Sequence, residues 1–334
     1  MNSIGHPKAV ILGGTGHIGS AIARRFHAAG FAVVATGQRQ IERPNLRDTG
    51  ITIVTGDDAD AANLHSWITG ASIVVDCATP YPVWMYERSG RDKADAAMAR
   101  TRSIIAAVDQ AGAHLVLISS FTTLDRRESL GAAMRRGAVQ GAHPYFDLKK
   151  NVEHEVRDYL GAGGRGAIIA PSTCFGPYDL KPRSQAFVPL LLSGEIPVLA
   201  NQELNIVDVR DVAEVAFAAA GTNSKTPIPV FGHNIALRDL ARRLCQIKGV
   251  AAPNLTVPTA FGVAGLYWME TACALVGRST PWPSLSMLLL AASYPADPSH
   301  MQLQLHPWLR PLDQTLGDAV DWYDGLGLIG TPRH

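Results

Sequence analysis

Tyr145 and Lys149 stand four residues apart in His143-Pro144-Tyr145-Phe146-Asp147-Leu148-Lys149, directly after a proline suited to the first turn of a helix. At that spacing they share one helix face. A tyrosine titrating near about 10 is a poor proton carrier at neutral pH, and an ammonium close to the phenol favours the phenolate and lowers that pKa. A hydroxyl at the carboxyl end of a strand would complete the set by polarising a substrate oxygen, since open α/β sheets bind ligands at that edge. Ser120, 25 residues before Tyr145, ends the run Leu115-Val116-Leu117-Ile118-Ser119, and Ser119 is the less favoured alternative. Such a trio moves a proton at a carbonyl or hydroxyl oxygen. Tyr and Lys at this spacing also occur on ordinary exposed helices, and a serine at a strand end can simply cap a turn, so the reading depends on the rest of the chain.

That support comes from Val10-Ile11-Leu12-Gly13-Gly14-Thr15-Gly16-His17-Ile18-Gly19. Glycines at Gly-x-x-Gly-x-x-Gly spacing, after a strand and before a helix, permit a tight turn, close approach of a pyrophosphate and close helix packing, with the phosphates at a helix N-terminus. The loop residues Gly13, Thr15, Gly16, His17, Ile18 and Gly19 are therefore cofactor candidates. Beyond the second strand a carboxylate would hold the ribose 2′-hydroxyl of NAD. The sequence has Gly37-Gln38-Arg39 instead, and an arginine there can pair with a 2′-phosphate. Gln38 and Arg39 thus favour NADP, with NAD as the alternative. Asp57 and Asp58, after the third strand, are candidates for the adenine side, or else a turn and helix cap.

These groups need a sheet to carry them. Six short apolar runs alternate with Ala-rich helical stretches: strands at Ala9–Leu12, Ala32–Ala35, Ile51–Thr55, Ile73–Cys77, Leu115–Ser119 and Gly166–Ala170, and helices near Ser20–Ala29, Asp60–Ile68, Asp92–Ala111 and Tyr145–Leu160. The alternation predicts an α/β fold, a Rossmann doubly wound parallel sheet with a smaller, mainly helical C-terminal substrate lobe. The nucleotide-binding domain is expected over 1–171, with 204–235 returning to the sheet, and the substrate lobe over 172–203 and 236–334.

Lys plus Arg number 30 against 29 for Asp plus Glu, so no net field favours nucleic acid. A small-molecule partner is expected, and a homodimer is compatible with the reading. Cys77, Cys174, Cys245 and Cys273 form no CxxC pair and no histidine cluster has metal-ligand spacing, so no metal is expected and reduced thiols suit a cytoplasmic protein. The N-terminus shows no secretory pattern. Two apolar stretches, Ala260 to Gly277 (interrupted by Glu270) and Leu285 to Ala292, read as core or pocket helices rather than membrane spans. An apolar face on one of them could still dock on a membrane or a partner protein.

With Ala170-Pro171, Gly176-Pro177 and Asn205-Ile206-Val207-Asp208-Val209-Arg210-Asp211 added, the chain resembles the extended short-chain dehydrogenases/reductases, the NAD-dependent epimerase/dehydratase proteins. Within them it is most similar to dihydroflavonol-reductase-like and hopanoid-associated epimerase-like members. The resemblance implies Tyr145 as proton donor or acceptor, Lys149 as its partner and holder of the nicotinamide ribose, and Ser120 as carbonyl ligand, with Ala78 and Pro171 among the cofactor contacts. It implies a pocket drawing on Pro80, Tyr81, Trp84, Thr122, Thr173, Phe175, Tyr178 and Phe187. Two departures stand out: alanine near Ala96–Ala97 where many members carry asparagine, and Ala170 where an arginine often precedes the proline. The expected activity is an NADP-dependent ketoreductase acting on a ketone or secondary alcohol of a small, partly apolar metabolite. An NAD-dependent sugar or nucleotide-sugar epimerase and a non-catalytic NADP-binding sensor are the alternatives.

Overall fold

The computed structural model describes residues 6–38, 43–85, 90–124, 130–181, 186–278, 280, 283–296 and 309–330. Its first half follows the expected alternation: β1 (Lys8–Leu12), α1 (His17–Ala28), β2 (Ala32–Gly37), β3 (Thr52–Thr55), α2 (Ala61–Ile68), β4 (Ile73–Asp76), α3 (Gly90–Ala111), β5 (His114–Ile118), α4 (Leu130–Gly141), α5 (Pro144–Gly161) and β6 (Gly166–Pro171). The second half contains β7 (Thr173–Phe175), α6 (Phe187–Leu192), β8 (Val198–Asn201), β9 (Glu203–Asp208), α7 (Val209–Ala219), β10 (Ser224–Val230) and β11 (His233–Ala236). It ends with α8 (Leu237–Lys248), β12 (Leu255–Pro258), α9 (Thr259–Leu275), α10 (Ser284–Ala292) and α11 (Leu312–Gly325).

Seven strands form one sheet in the order β10-β6-β5-β4-β1-β2-β3, and every pairing in it is parallel. Its central strands are buried on both faces, which is why Ala9-Val10-Ile11-Leu12 and Leu115-Val116-Leu117-Ile118 read as continuous apolar runs. One face packs on α1 and α7 through Ile22, Phe26, Val212 and Ala216. The other packs on α2, α3 and α5 through Leu64, Ile104, Leu148 and Val152. The sheet thus presents the carboxyl ends of β1, β4 and β5 at one edge, where the glycine loop, Ala78 and Ser120 lie.

Of the two later strands expected to rejoin the sheet, β10 does so beside β6. The strand at 203–208 does not. β9 pairs antiparallel with β11 and parallel with β7 in a separate three-stranded sheet, while β8 and β12 form a further pair. The C-terminal region is consequently mixed, with helices α6, α8, α9, α10 and α11 making up most of it beside these short strands. Its core gathers Leu191, Leu204, Leu240, Leu244, Leu316 and Tyr323.

The apolar stretch 260–277 departs from expectation. Of α9 only Glu270 is buried, while Phe261, Trp268 and Leu275 are exposed by 72%, 68% and 83%. A helix apolar all round offers no hydrophobic stripe to choose a face, and here the carboxylate chooses. Glu270 accepts hydrogen bonds from the backbone N–H of Met85 at 2.6 Å and of Ser284, in the first turn of α10, at 2.9 Å. By contrast α10 packs inward, with Leu285 and Leu288 in one core cluster with Phe121, Tyr145 and Phe146. No helix among the described residues is long and apolar enough to cross a membrane.

Candidate active site

Helix α5 opens where Pro144 occupies its first turn and the His143 ring accepts the Tyr145 N–H at 3.1 Å, an N-cap made by an imidazole. This fixes Tyr145 one residue inside the helix. Its ring, 7% exposed, meets Tyr81 edge to face with centroids 5.0 Å apart. Ser120 stands opposite, at the end of β5. Its Oγ accepts the Thr122 N–H at 3.2 Å and the Thr122 hydroxyl at 2.9 Å, which leaves the serine proton free to donate. The Ser120 hydroxyl lies near enough to the Tyr145 phenol to draw its pKa down. Ser119, the alternative, donates instead to Glu153 at 2.5 Å and so is turned away from the phenol.

The expected lowering of the tyrosine pKa is not what this geometry produces. Burial and the neighbouring Tyr81 push the Tyr145 phenol up, outweighing the nearby Ser120 hydroxyl that draws it down. The ammonium is turned elsewhere: Lys149 Nζ donates to the Ile118 carbonyl at 3.4 Å. Burial lowers the Lys149 pKa, opposed by Asp76, Glu153 and Cys77. At neutral pH the phenol is therefore a protonated donor in this state.

The glycine loop is shaped for close approach. Gly13 has φ of 71°, and a Cβ there would lie 2.6 Å from the Ala78 methyl. A Cβ on Gly19 would overlap the Gly13 carbonyl, so α1 can sit against the loop only with glycine at that position. Thr36 holds the loop, accepting the Gly13 N–H on its Oγ1 at 3.0 Å and the Thr15 N–H on its carbonyl at 3.3 Å. Helix α1 begins at His17 with Gly16 as N-cap and no side-chain cap, leaving its first N–H groups for an anion. The His17 Nε2 is buried without a hydrogen-bond partner, and burial draws the ring down to about 4, so it is neutral at pH 7. A dinucleotide's pyrophosphate fits this cradle, and Ala78 forms its far wall. Ile18 packs on the core beneath the loop, and Pro171 is buried at the end of β6 opposite Val230.

At the adenine side the two aspartates part company. Asp57 is exposed and closes a turn by accepting the Ala59 N–H at 2.9 Å, while the cap of α2 is Asp60. Asp58 is buried and paired with Arg100 at 2.8 Å, and Arg100 also makes a two-pronged pair with Asp76. Asp58 is thus committed to a buried ion network with Arg100 and Asp76. Gln38 is exposed at the end of β2; Arg39 lies outside the described residues.

The expected pocket residues divide. Tyr81 packs on Tyr145, with Pro80 beside it in the chain, and Thr122 bonds Ser120, while Trp84 donates its indole N–H to the Thr280 carbonyl at 3.1 Å. Phe175 and Phe187 meet at 6.5 Å on the core of the C-terminal region, and Thr173 lies on β7 in the same region. Tyr178 does not join them: its ring sits between the Arg24 guanidinium, at 4.8 Å, and Trp322, at 5.5 Å. Sequence reasoning missed Arg100 and Asn45. Arg100 falls three residues after Ala97 and four before Ile104, both fully or almost fully buried, so its periodicity marked an inward position. Asn45, whose amide donates to the Thr15 and Tyr178 carbonyls at 3.0 and 3.3 Å, sits in a single 3-10 turn, Pro44–Leu46, too short to carry a pattern that would flag it. Where many relatives carry asparagine, Ala96 is exposed and Ala97 is packed in the core, so neither supplies a polar relay.

Residues 9–231 match the model of the NAD dependent epimerase/dehydratase family. The chain belongs to that family. Members bind NAD(P) and act on small molecules, and the glycine cradle described above fits that cofactor class. Among relatives of this family member, a putative dihydroflavonol 4-reductase of Synechocystis sp. is 28% identical over 340 residues, covering 96% of each chain. Sterol demethylase protein B of Methylococcus capsulatus is 22% identical over 328 residues, covering 96% of this chain and 99% of its own. The solved structure of gox2253 shares the fold, with a TM-score of 0.75 at 24% identity over 97% of this chain and 99% of that one.

Proposed function

We propose that this family member is an NADP-dependent ketoreductase acting on a small metabolite with an apolar portion. The observation that carries the reading is the Tyr145 phenol, buried and protonated, with the Ser120 hydroxyl near enough to act on its pKa and the Tyr81 ring beside it. A bound, reduced nicotinamide would supply the hydride to the carbonyl carbon. Ser120 donates a hydrogen bond to the carbonyl oxygen and Tyr145 transfers its proton to that oxygen as the C=O bond becomes C–OH, with solvent later returning the proton to the phenol. Lys149, four residues along the same face, holds the nicotinamide ribose. The Tyr81 ring against Tyr145 suits an apolar substituent. The reductase and sterol-demethylase names of the two relatives support the choice of reaction and of apolar substrate.

A reductase must exchange its cofactor on each turnover, whereas an epimerase gains by keeping it. The protein is expected to dialyse free of nucleotide and to bind NADPH in the micromolar range, about −8 kcal/mol. Arg39→Ala is expected to weaken NADPH about tenfold while sparing NADH, as loss of a charge-assisted contact to the 2′-phosphate requires. Nucleotide content after dialysis and fluorescence titration of both cofactors check this. Tightly retained NAD would move the reading to epimerisation, and equal affinities unaffected by the substitution would reject NADP. Binding without turnover across a broad carbonyl panel would favour a sensor.

A further inference from the structure

One buried carboxylate has no part in the proton transfer. Glu153, 3% exposed, lies on α5 one turn beyond Lys149. Its Oε2 accepts the hydroxyls of Ser119 and Thr123, each at 2.5 Å, and its Oε1 accepts Arg157 at 2.7 Å. Ser119 and Thr123 bracket Ser120, and the Thr123 hydroxyl also lies 2.7 Å from the Ser120 carbonyl. The turn that carries Ser120 is thus tied on both sides to the helix that carries Tyr145 and Lys149. Burying a carboxylate is costly unless its oxygens are met, and here two of the three groups that meet it belong to this turn.

We propose that Glu153 is a positioning residue, a clamp that fixes the Ser120 turn against α5 and so sets Ser120 and Tyr145 in register. The same carboxylate faces Lys149 together with Asp76 and Cys77, while Arg100 opposes them and Arg157 neutralises the outer side of Glu153. Removing the Glu153 charge therefore lowers the Lys149 pKa, because one of the anions that favour the ammonium is gone. This second consequence rests on the proposed role of Lys149 in holding the nicotinamide ribose. The clamp itself does not depend on which substrate is reduced.

The test compares wild type, Glu153→Gln, Glu153→Asp and, as a control on the outer face of the same helix, Glu155→Gln. Two quantities are read: amide hydrogen exchange at Thr122, Thr123 and Leu124, and NADPH affinity by fluorescence from pH 6 to pH 10. In Glu153→Gln the three amides are expected to exchange about tenfold faster, the equivalent of one lost charge-assisted hydrogen bond, and the alkaline loss of NADPH affinity is expected to begin at lower pH. Glu153→Asp keeps the charge while shortening the reach, so it loosens the turn and leaves the alkaline limb where it was; it also serves if Glu153→Gln does not fold. Glu155→Gln changes neither. Unchanged exchange at the turn in both Glu153 variants overturns the clamp. A limb that stays in place in Glu153→Gln overturns the electrostatic role. A wild type with no alkaline limb overturns the assignment of Lys149 in the proposed function, and its Glu153 support with it, while the exchange data still decide the clamp.

Discussion

Tyr145→Phe is expected to bind NADPH as the wild type does and to lose turnover by about 10² to 10⁴, the usual contribution of a positioned general acid. The substitution removes one hydroxyl and keeps the ring, so the edge-to-face contact with Tyr81 and the packing on Phe146 remain. Stability should change little, because the ring contacts are kept and the Ser120 oxygen is still met by Thr122. Steady-state rates set beside cofactor titration separate the two effects. Near-normal turnover in Tyr145→Phe would remove the phenol from the mechanism.

Arg100→Met is expected to destabilise the fold by about 3–5 kcal/mol at pH 7, since it leaves two carboxylates buried without their cation. The Arg100 side chain is 1% exposed, and those of Asp58 and Asp76 are 8% and 3% exposed. In the wild type Arg100 holds the Asp76 carboxyl below its ordinary range against the effect of burial. A group with a depressed folded pKa contributes stability above its unfolded pKa and loses it as pH falls through the folded value. In the variant only the Ala78 N–H and the Lys149 charge still oppose burial, so that pKa rises and protonation on acidification relieves the buried charge, while the wild type gains nothing from it. The difference between them should therefore narrow from pH 7 to pH 5. Denaturant unfolding at both pH values measures it, and a deficit under about 1 kcal/mol at pH 7 would show that the network is not a structural cation site.

The nucleotide-binding half was legible because its signals are local. A parallel strand buried on both faces must be a continuous apolar run, and a glycine loop between strand and helix has few other uses, so β1, β4, β5, β6 and the start of α1 could be placed from residue types alone. Tyr145, Lys149 and Ser120 were legible for the same reason: one spacing rule and one strand end locate them. What was not legible depends on pairings distant in sequence. Whether the strand at 203–208 joins the main sheet or pairs with β7 and β11 depends on which edge is free, and no short pattern encodes that. Helix α9 is apolar on every side, so its exposure follows from Glu270 reaching Met85 and Ser284, contacts 185 and 14 residues away in the chain. Tyr178 has the composition of a pocket residue, yet it is drawn to Arg24 and Trp322. Asp58 read as a cofactor contact until Arg100, 42 residues later, claimed its carboxylate.

The central claim is that hydride leaves the cofactor once per product and does not return. Its most direct test follows NADPH oxidation and alcohol formation together, with a ketone bearing an apolar substituent that the dialysed enzyme turns over. The account predicts one alcohol formed for each NADPH oxidised, with both signals lost in Tyr145→Phe. Product formed without net change in the cofactor would contradict it and assign the site to epimerisation.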